Sequence, residues 1–488
     1  MNQESVRVFN TLTGEKESFL PLEPPVVKMY ACGPTTYNFI HLGNARPLVV
    51  FDTVRRYLEY LGYEVIYVQN FTDVDDKIIQ RAQEEEVPPL ELAEKYIEEY
   101  FVDADALNVR RATVHPRVSQ NMEEIIAFVA GLVQKGYAYV VEGDVFFEVS
   151  KFKEYGKLSK RTIDDLQAGA RIDVDKRKRH PGDFALWKKA KAGEPNWASP
   201  WGKGRPGWHI ECSTMSTKYL GSSFDVHAGG LDLIFPHHEN EIAQSEALHD
   251  APMAKYWLHN GFITINQEKM SKSRGNFFLL REIMKQYSPQ VVRFYLLSTH
   301  YRSPLDFAEE KLEAAGKGLE RLQTAYRLLQ ETKGQKGGQE QVPAEVWSKF
   351  AKELSVFEQR FQEAMNDDFN TALALAVLFD LARTLNSLYT VLMGKKSNSQ
   401  GKLLLEKAEA KYVELAGILG LELAKRDFLD DSEADSKLVS RLLELLIQVR
   451  QGARNRKDYA AADLIRDELK KLGIALEDTP QGVRWKYL

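Results

Sequence analysis

Cysteine is scarce in this sequence, and long apolar runs are missing. Only two cysteines occur among 488 residues, so a disulfide scaffold is excluded and a reducing compartment is expected. No run approaches the roughly 20 apolar residues of a membrane span, and residues 1–17 contain no apolar core of a secretion signal. Hydrophobic residues make up 44% and charged residues 28%, which excludes a disordered or collagen-like chain. We therefore expect a soluble cytoplasmic protein without membrane contact, in which any role of Cys32 and Cys212 is chemical.

Two common nucleotide-binding motifs are absent as well. No G-x-x-x-x-G-K-[ST] occurs, and the G-x-G-x-x-G formed by Gly202, Gly204 and Gly207 does not follow a predicted strand. The formal net charge of −5 argues against indiscriminate nucleic-acid binding. Between Arg171 and Lys191, however, eight Lys or Arg residues stand against three acids. This segment could follow a phosphate backbone, and the alternative is a solvated basic loop.

The local patterns predict an α/β fold in the first part of the chain. Val26–Ala31 and Glu64–Asn70 are predicted strands, and apolar positions at helical spacing from Ala45 predict a helix that ends at Gly62. Parallel strands joined by a helix place ligands at their carboxyl ends. The sequence therefore predicts a ligand site in the loop 32–44.

Beyond the α/β region the sequence becomes helical. Apolar residues recur every three or four positions over 346–365 and 378–392, which is typical of packed bundle helices. After an acidic junction at 426–437, two further helical stretches precede two short strands around Pro480–Gly482. At roughly 150 residues per domain, the length suggests about three domains.

Two loops carry residues suited to phosphate chemistry. In His41-Leu-Gly43-Asn44, the glycine admits a ligand close to the backbone, and the helix that follows directs its positive end at an anion. The alternative is a turn with a surface histidine. The segment 268–276 combines several cations and hydroxyls, and it could close over a polyphosphate or be a solvated charged loop.

A third cluster of residues suits a metal ion. In a predicted helix over 236–247, His237 and Glu241 are four positions apart and therefore share one face. Together with Cys32 and Cys212 they offer two thiolates, an imidazole and a carboxylate, a donor set that suits Zn²⁺. The alternative is two unrelated buried thiols and a local His–Glu hydrogen bond.

A series of motifs follows in order along the chain: Tyr30-Ala-Cys-Gly-Pro-Thr35, His41-Leu-Gly-Asn44, Asn70-Phe-Thr-Asp-Val-Asp-Asp-Lys77, Gly207-Trp-His-Ile-Glu-Cys212, His227-Ala-Gly-Gly-Leu-Asp232, Pro236-His-His-Glu-Asn-Glu241 and Lys269-Met-Ser-Lys-Ser273. In this order and at this spacing the motifs resemble the cysteinyl-tRNA synthetases, a family of class I aminoacyl-tRNA synthetases. The resemblance runs essentially from end to end of the chain.

The resemblance implies a zinc site that selects the substrate. It makes Cys32, Cys212, His237 and Glu241 the ligands of one Zn²⁺ that binds the thiolate of L-cysteine. An apolar pocket separates cysteine from serine by only about 1 to 3 kcal/mol, whereas zinc prefers a soft thiolate over a neutral hydroxyl. The resemblance also implies that no editing site is needed.

Further roles follow from the resemblance. It implies that Thr72 and Trp208 line the amino-acid pocket and that Asp232 contacts the ribose of ATP or the amine of the substrate. The residues it makes catalytic belong to the two signature motifs: His41, Asn44, Lys269 and Lys272. Gly43 and Lys272 would contact ATP, which is bound with Mg²⁺.

The fold implied is a Rossmann-like, doubly wound catalytic domain with an insertion, followed by a helical bundle and a small anticodon-reading module. The expected boundaries are 1–113 with 201–265 for the catalytic domain, 114–200 for an insertion contacting the acceptor stem, 266–330 for the signature loop and stem-contact region, 344–425 for the bundle and 436–488 for the anticodon module. The implied partners are tRNA(Cys), ATP and L-cysteine, and the family default is a monomer. Trp485 and Tyr487 are candidates for stacking on anticodon bases, or they close the small terminal core.

The first signature departs from the family pattern at Asn44, where histidine is common. Asparagine donates a hydrogen bond but carries no charge, so only a hydrogen-bonding role is expected there. Two other functions stay open: a ligase that joins activated cysteine to a small amine, as in the mycothiol pathway, and an inactive RNA- or zinc-binding paralogue. The chain beyond Lys425 favours tRNA over a small amine, and the complete Lys269–Ser273 motif argues against an inactive paralogue.

Overall fold

A four-stranded parallel sheet supports the N-terminal part of the chain. The computed structural model describes residues 6–161, 175–265, 268–269, 278–334, 340–424, 433–479 and 482–487. The sheet has the order β10-β9-β3-β4, formed by β3 Val26–Ala31, β4 Glu64–Gln69, β9 Phe224–Gly230 and β10 Ala254–Asn260. Neighbouring strands are parallel throughout. Helices cover the sheet, which explains why most residues of its strands are buried, and this confirms the predicted Rossmann-like class.

The helix that joins β3 to β4 begins earlier than the sequence predicts. Helix α1 spans Leu42–Tyr60, whereas the apolar spacing placed its start at Ala45. His41 caps the helix, since its ring accepts a hydrogen bond from the backbone N–H of Asn44 and the Asn44 side chain accepts one from the backbone N–H of His41. This reciprocal arrangement satisfies amide groups that would otherwise lack partners in the first turn.

The remaining strands, and the remaining helices up to residue 297, have the following bounds. The other strands are β1 Arg7–Asn10, β2 Glu15–Ser18, β5 Ala138–Val141, β6 Asp144–Phe147, β7 Phe184–Lys189, β8 Gly204–Pro206, β11 Ile263–Ile265, β12 Glu268–Lys269 and β13 Leu305–Phe307. The helices up to residue 297 are α2 Asp76–Glu85, α3 Pro89–Ala106, α4 Met122–Gln134, α5 Trp208–Leu220, α6 Glu239–His249, α7 Leu280–Met284 and α8 Pro289–Leu297.

An antiparallel sheet of order β5-β6-β7-β8 lies within the segment that interrupts the parallel sheet. Its inward residues share one hydrophobic core with α4, α5 and α6, as Val145, Phe147, Ile210 and Ile242 are all completely buried in the same cluster. The last strand ends at Pro206, beyond the residue 200 expected for the end of the insertion. The insertion is thus packed directly against the two helices that carry the candidate metal ligands.

Four long helices form the bundle that follows: α9 Glu309–Gly334, α10 Ala344–Asn366, α11 Thr371–Leu392 and α12 Ser399–Ile418. The two predicted apolar stripes lie on α10 and α11, where Phe361, Leu378 and Leu385 are buried. By length and composition, α11 is the one helix among the described residues that could cross a membrane, and half of its apolar stretch is buried. A core helix of a bundle has the same properties.

A buried ion cluster ties α1 to the rest of this unit. Asp52 accepts from Arg56 at 2.8 Å and from Arg293 at 2.6 Å, and its second oxygen accepts the backbone N–H of Arg110 at 3.0 Å. Arg293 also donates to the carbonyl oxygen of Leu419 at 2.7 Å. All three charged side chains are almost completely buried, and the two guanidinium groups hold the pKa of Asp52 below its usual range despite the opposing effect of burial.

The second compact unit, Lys425–Leu488, is small and has its own core. It contains α13 Glu433–Asn455, α14 Tyr459–Lys471 and the antiparallel pair β14 Ile474–Thr479 and β15 Gly482–Tyr487, as the sequence predicts. Leu443, Leu469 and Ile474 form its core, and Trp485 packs against them. This packing favours the alternative in which Trp485 closes the core.

Candidate active site at the carboxyl end of the sheet

A cavity of about 370 Å³ opens where the parallel strands end. It is lined by the loop after β3, the start of α1, the end of β9 with the turn that follows it, and residues 260–263 from the last residue of β10 onward. Strand β3 has β4 on one side and β9 on the other. The connections that leave the carboxyl ends of β3 and β9 therefore run in opposite directions and open a crevice between them. Such a crevice is where open α/β sheets bind ligands.

Four potential metal ligands meet at the base of this cavity. Donor atoms of Cys32, Cys212, His237 and Glu241 all lie within 4.8 Å of one another. The two sulfur atoms are 3.8 Å apart, Cys32 Sγ is 3.5 Å from Glu241 Oε1, and His237 Nε2 is 3.0 Å from the same oxygen. These are the four residues that the sequence singled out, and the fold brings Cys32 to the other three, which lie 180 or more positions further along the chain.

Each ligand is placed by a different element. Cys32 follows β3, and its backbone N–H donates to the carbonyl oxygen of Ala228 on β9 at 3.2 Å. Cys212 lies on α5, and Glu241 lies in the first turn of α6. His237 precedes α6, which begins at Glu239 and not at Pro236 as the sequence predicts.

The late start of α6 has a local cause. Phe235 adopts extended backbone angles, φ −139° and ψ 131°, within the turn Ile234–His238. A residue before proline is pushed out of the helical region by the proline ring, so Phe235 interrupts the helix before Pro236. His237 and Glu241 nevertheless stay on one face, because the chain from His238 onward is helical.

The electrostatics favour deprotonated Cys212 and Glu241, whereas burial and the neighbouring Cys212 raise the pKa of Cys32 well above its usual range. The hydrogen bond with Cys32, supported by His237, lowers the pKa of Cys212 to about 6 against the effect of burial. Burial raises the pKa of Glu241, but His227 and His237 outweigh it and hold that pKa well below its usual range. Burial also lowers the pKa of His237, and Glu241 and Cys212 more than reverse this and raise it to about 10. Without a metal, a protonated His237 therefore lies beside the anionic Cys212 and Glu241. A divalent cation would replace the proton of His237.

A chain of histidines continues from the metal cluster into the protein. His227 Nε2 is 2.8 Å from Glu241 Oε2, and the ring of His227 stacks on Trp257 with centroids 4.4 Å apart. His238 Nδ1 is 2.8 Å from His259 Nε2. A second group of donors, Cys32, His227, His238 and Glu241, also lies within 4.8 Å.

Sequence reasoning assigned no role to these histidines. His227 and His238 lie inside the motifs that begin at His227 and Pro236. His259 on β10 belongs to no motif that the sequence shows. Its Nδ1 is 2.8 Å from Thr11 Oγ1, a residue almost 250 positions away. Only the strand order, which places β9 beside β10, brings these rings together.

The first signature lines the cavity. His41, Gly43 and Asn44 are all on its wall. The Nδ1 of His41 accepts from the backbone N–H of Asn44 at 3.1 Å, so in the neutral ring the proton is on Nε2. The amide oxygen of Asn44 caps the backbone N–H of His41 at 3.3 Å, a role that an amide fulfils without charge.

The predicted pocket residues fall into two groups. Trp208 and Asp232 line the cavity, and the Trp208 ring, 40% exposed, packs over His237 with centroids 4.2 Å apart. Thr72 is buried behind the wall, where its hydroxyl donates to Glu211 at 2.9 Å. Burial raises the pKa of Glu211 well above its usual range.

The second signature is only partly described. The backbone of Lys269 pairs with Thr264 in the sheet β12-β11-β13, and its side chain lies outside the described residues. Lys272 also lies outside them. The two lysines stay predictions from the sequence.

Comparison with known proteins identifies the family. Residues 18–317 match the model of the class I (C) tRNA synthetase catalytic domain, residues 360–424 the DALR domain, and residues 442–485 the cysteinyl-tRNA ligase anticodon binding domain. The chain belongs to the cysteinyl-tRNA ligase family. Cysteine–tRNA ligases of Heliobacterium modesticaldum and Moorella thermoacetica are 61% and 59% identical to it, over 99% and 98% of this chain and 99% of each relative. That of Clostridioides difficile is 53% identical over 99% of this chain and its full length.

Solved structures of other class I synthetases share the fold of this family member. A methionyl-tRNA synthetase of Mycobacterium tuberculosis superposes with a TM-score of 0.58 at 14% identity, covering 81% of this chain and 90% of its own. The LeuRS of Agrobacterium radiobacter gives 0.57 at 12% identity, covering 83% and 86%. At this identity the likeness concerns the fold alone.

Proposed function

We propose that this protein is a cysteine–tRNA ligase that activates L-cysteine with ATP and transfers it to the 3′ end of tRNA(Cys). Full-length identity of 53–61% to cysteine–tRNA ligases is the observation that carries this proposal. In the first step the carboxylate of cysteine attacks the α-phosphorus of ATP, and pyrophosphate leaves. In the second step a hydroxyl of the terminal adenosine attacks the carbonyl of cysteinyl adenylate, and AMP leaves.

The donor cluster supports zinc as the metal. Cys32, Cys212, His237 and Glu241 would hold it, since two thiolates, an imidazole and a carboxylate are typical zinc ligands. When bound, zinc would take the thiolate of the substrate as a further ligand and so separate cysteine from serine. A pocket that selects sulfur directly needs no editing site, and none is proposed.

The residues of this chain supply positioning and charge for the first step. The N-terminus of α1 directs its positive end into the cavity, where it would stabilise the phosphates of ATP, bound with Mg²⁺. His41 and Asn44 hold this helix end in place through their mutual cap, and Gly43 leaves room beside it. Trp208 would close the amino-acid pocket over His237, and Asp232 would accept from the ribose or the amine of the substrate. Lys269 and Lys272 would neutralise the departing pyrophosphate.

The second partner is tRNA. The C-terminal unit matches an anticodon-binding family model, and Arg454, Arg456 and Lys457 are exposed cationic residues at and just beyond the end of α13, whereas Arg450 is buried. In the insertion, Arg177, Arg179 and Lys188 form ion pairs with Asp175, Glu148 and Asp76, so the predicted basic segment is partly neutralised. We expect the anticodon unit to contribute more affinity than this segment. The proposed state is a cytoplasmic monomer.

Aminoacylation of total tRNA with each of the twenty amino acids tests the proposal, with zinc measured on the same preparation. Charging by cysteine alone, with about one zinc per chain, is the expected result. Cysteine-dependent AMP formation with no charged tRNA would instead indicate a ligase that acts on a small amine. Neither charged tRNA nor AMP formation with any amino acid would leave only a binding role.

A further inference from the structure

A completely buried arginine ties the first signature helix to the wall of the cavity. Arg46, on the second turn of α1, donates to four backbone carbonyl oxygens. Its Nη1 is 2.8 Å from Gly261 O and 2.9 Å from Phe262 O, and its Nη2 is 2.6 Å from Ser303 O and 3.4 Å from His300 O. One guanidinium group therefore joins helix α1 to two separate loops.

The burial of this charge is energetically unfavourable. Within the described residues, no ion pair joins Arg46 to a carboxylate, and burial lowers the pKa of its guanidinium to about 10. At neutral pH the guanidinium stays charged with no anion bound to it among the described residues, and burying an unpaired charge is unfavourable. The carbonyl oxygens that it binds belong to residues at the active site: Gly261 and Phe262 line the same cavity as His41 and Asn44.

The second of the two loops is held from its other side by Asp368, at the corner between α10 and α11. Asp368 accepts from the hydroxyl of Tyr301 at 2.9 Å and from Arg302 at 2.6 Å. The backbone N–H of Gly261 donates to Tyr301 O at 2.8 Å, so this loop is hydrogen-bonded directly to the cavity wall. Asp368 and Phe369 both have left-handed backbone angles, φ 62° and 52°, a strained conformation for two consecutive residues that are not glycine.

We propose that Arg46 and Asp368 are positioning residues for ATP, a role that rests on the proposed function. Arg46 fixes the backbone of Gly261 and Phe262 relative to the N-terminus of α1, and Asp368 holds the loop 300–303 on which that backbone rests. Together they set the width of the crevice that receives the nucleotide. Cysteine, which is bound deeper by the metal cluster, depends less on this width.

Pyrophosphate exchange, measured with ATP and cysteine varied in turn, tests this role. Arg46→Lys keeps the charge but loses the planar fork that reaches four carbonyl oxygens. We expect its KM for ATP to rise about tenfold, because small displacements of binding groups have large kinetic effects. The KM for cysteine and the zinc content should stay within about twofold of the wild type. Asp368→Asn should also raise the KM for ATP without changing the KM for cysteine, and by a smaller factor than Arg46→Lys.

Two matched variants separate positioning from stability. Arg293→Lys changes an equally buried arginine whose carbonyl partners, on Leu107, Asn108 and Leu419, line no part of the cavity. Asp367→Asn changes the exposed neighbour of Asp368. Neither should change the KM for ATP selectively.

The proposal is wrong if Arg46→Lys raises both KM values equally or changes the KM for ATP no more than Arg293→Lys does. If Arg46→Lys does not fold, the comparison of Asp368→Asn with Asp367→Asn decides. A wild-type protein without exchange activity would instead overturn the proposed function.

Discussion

The buried carboxylate of Asp52 should be a main determinant of stability in the first unit. Asp52→Asn keeps the volume and the bond from the Arg110 backbone N–H, but leaves Arg56 and Arg293 without their common anion. Removing one partner of a buried ion pair costs about 3–5 kcal/mol, because the remaining charge stays desolvated. Since the carbonyl oxygen of Leu419 still accepts from Arg293, we expect the lower end, about 3 kcal/mol.

Urea denaturation followed by circular dichroism measures this loss at neutral pH. Asp380→Asn is the control, since Asp380 binds Arg360 at 2.6 Å and Arg383 at 2.8 Å with 30% of its side chain exposed, and such pairs contribute about 0–1 kcal/mol. The lowered pKa of Asp52 means that its contribution is complete above the ordinary Asp pKa and is lost as pH falls through the folded pKa. The difference between wild type and Asp52→Asn should therefore shrink in acid. Equal losses for Asp52→Asn and Asp380→Asn would refute the view that the cluster stabilises the fold.

Local sequence patterns predicted the elements that form the base of the site. β3, β4 and the hairpin β14–β15 follow from apolar runs and turn residues, and the bundle stripes follow from helical spacing. The start of α1 at Leu42 was missed because histidine is an unusual cap, and only its pairing with Asn44 makes it effective. Helix boundaries depend on such individual hydrogen bonds, whereas apolar spacing reports only the buried face.

The candidate site could be predicted as a set of residue types but not as a network. The two cysteines, and His237 with Glu241 at helical i, i+4 spacing, suggested a set of metal donors from their residue types. The fold places these four residues together, and it adds His238 and His259, which no spacing rule links to them. Contacts between residues hundreds of positions apart follow from strand order, and one sequence carries no direct signal of that order.

Three other measurements test the site and its surroundings. Cys212→Ser should reduce zinc from about one per chain to nearly none and abolish cysteine activation, because a neutral hydroxyl replaces a thiolate ligand; unchanged zinc would contradict the donor set. Gly33→Ala should abolish activity, since its Cβ would overlap the carbonyl oxygen of Asn70, whereas Gly417→Ala, in a helix and with open space around it, should keep activity; an active Gly33→Ala would contradict the packing of this loop. His115 donates from Nδ1 to Gln69 O at 3.0 Å and accepts the Ala112 N–H at Nε2, also at 3.0 Å, so it is held neutral, and burial lowers its pKa to about 4. Its contribution to stability is complete above its ordinary pKa of about 6.5 and is lost as pH falls from there toward 4, which corresponds to about 3 kcal/mol. His115→Gln should therefore flatten the decline of the melting temperature between pH 7 and pH 4, and a parallel decline in both proteins would show that His115 is not the group that titrates.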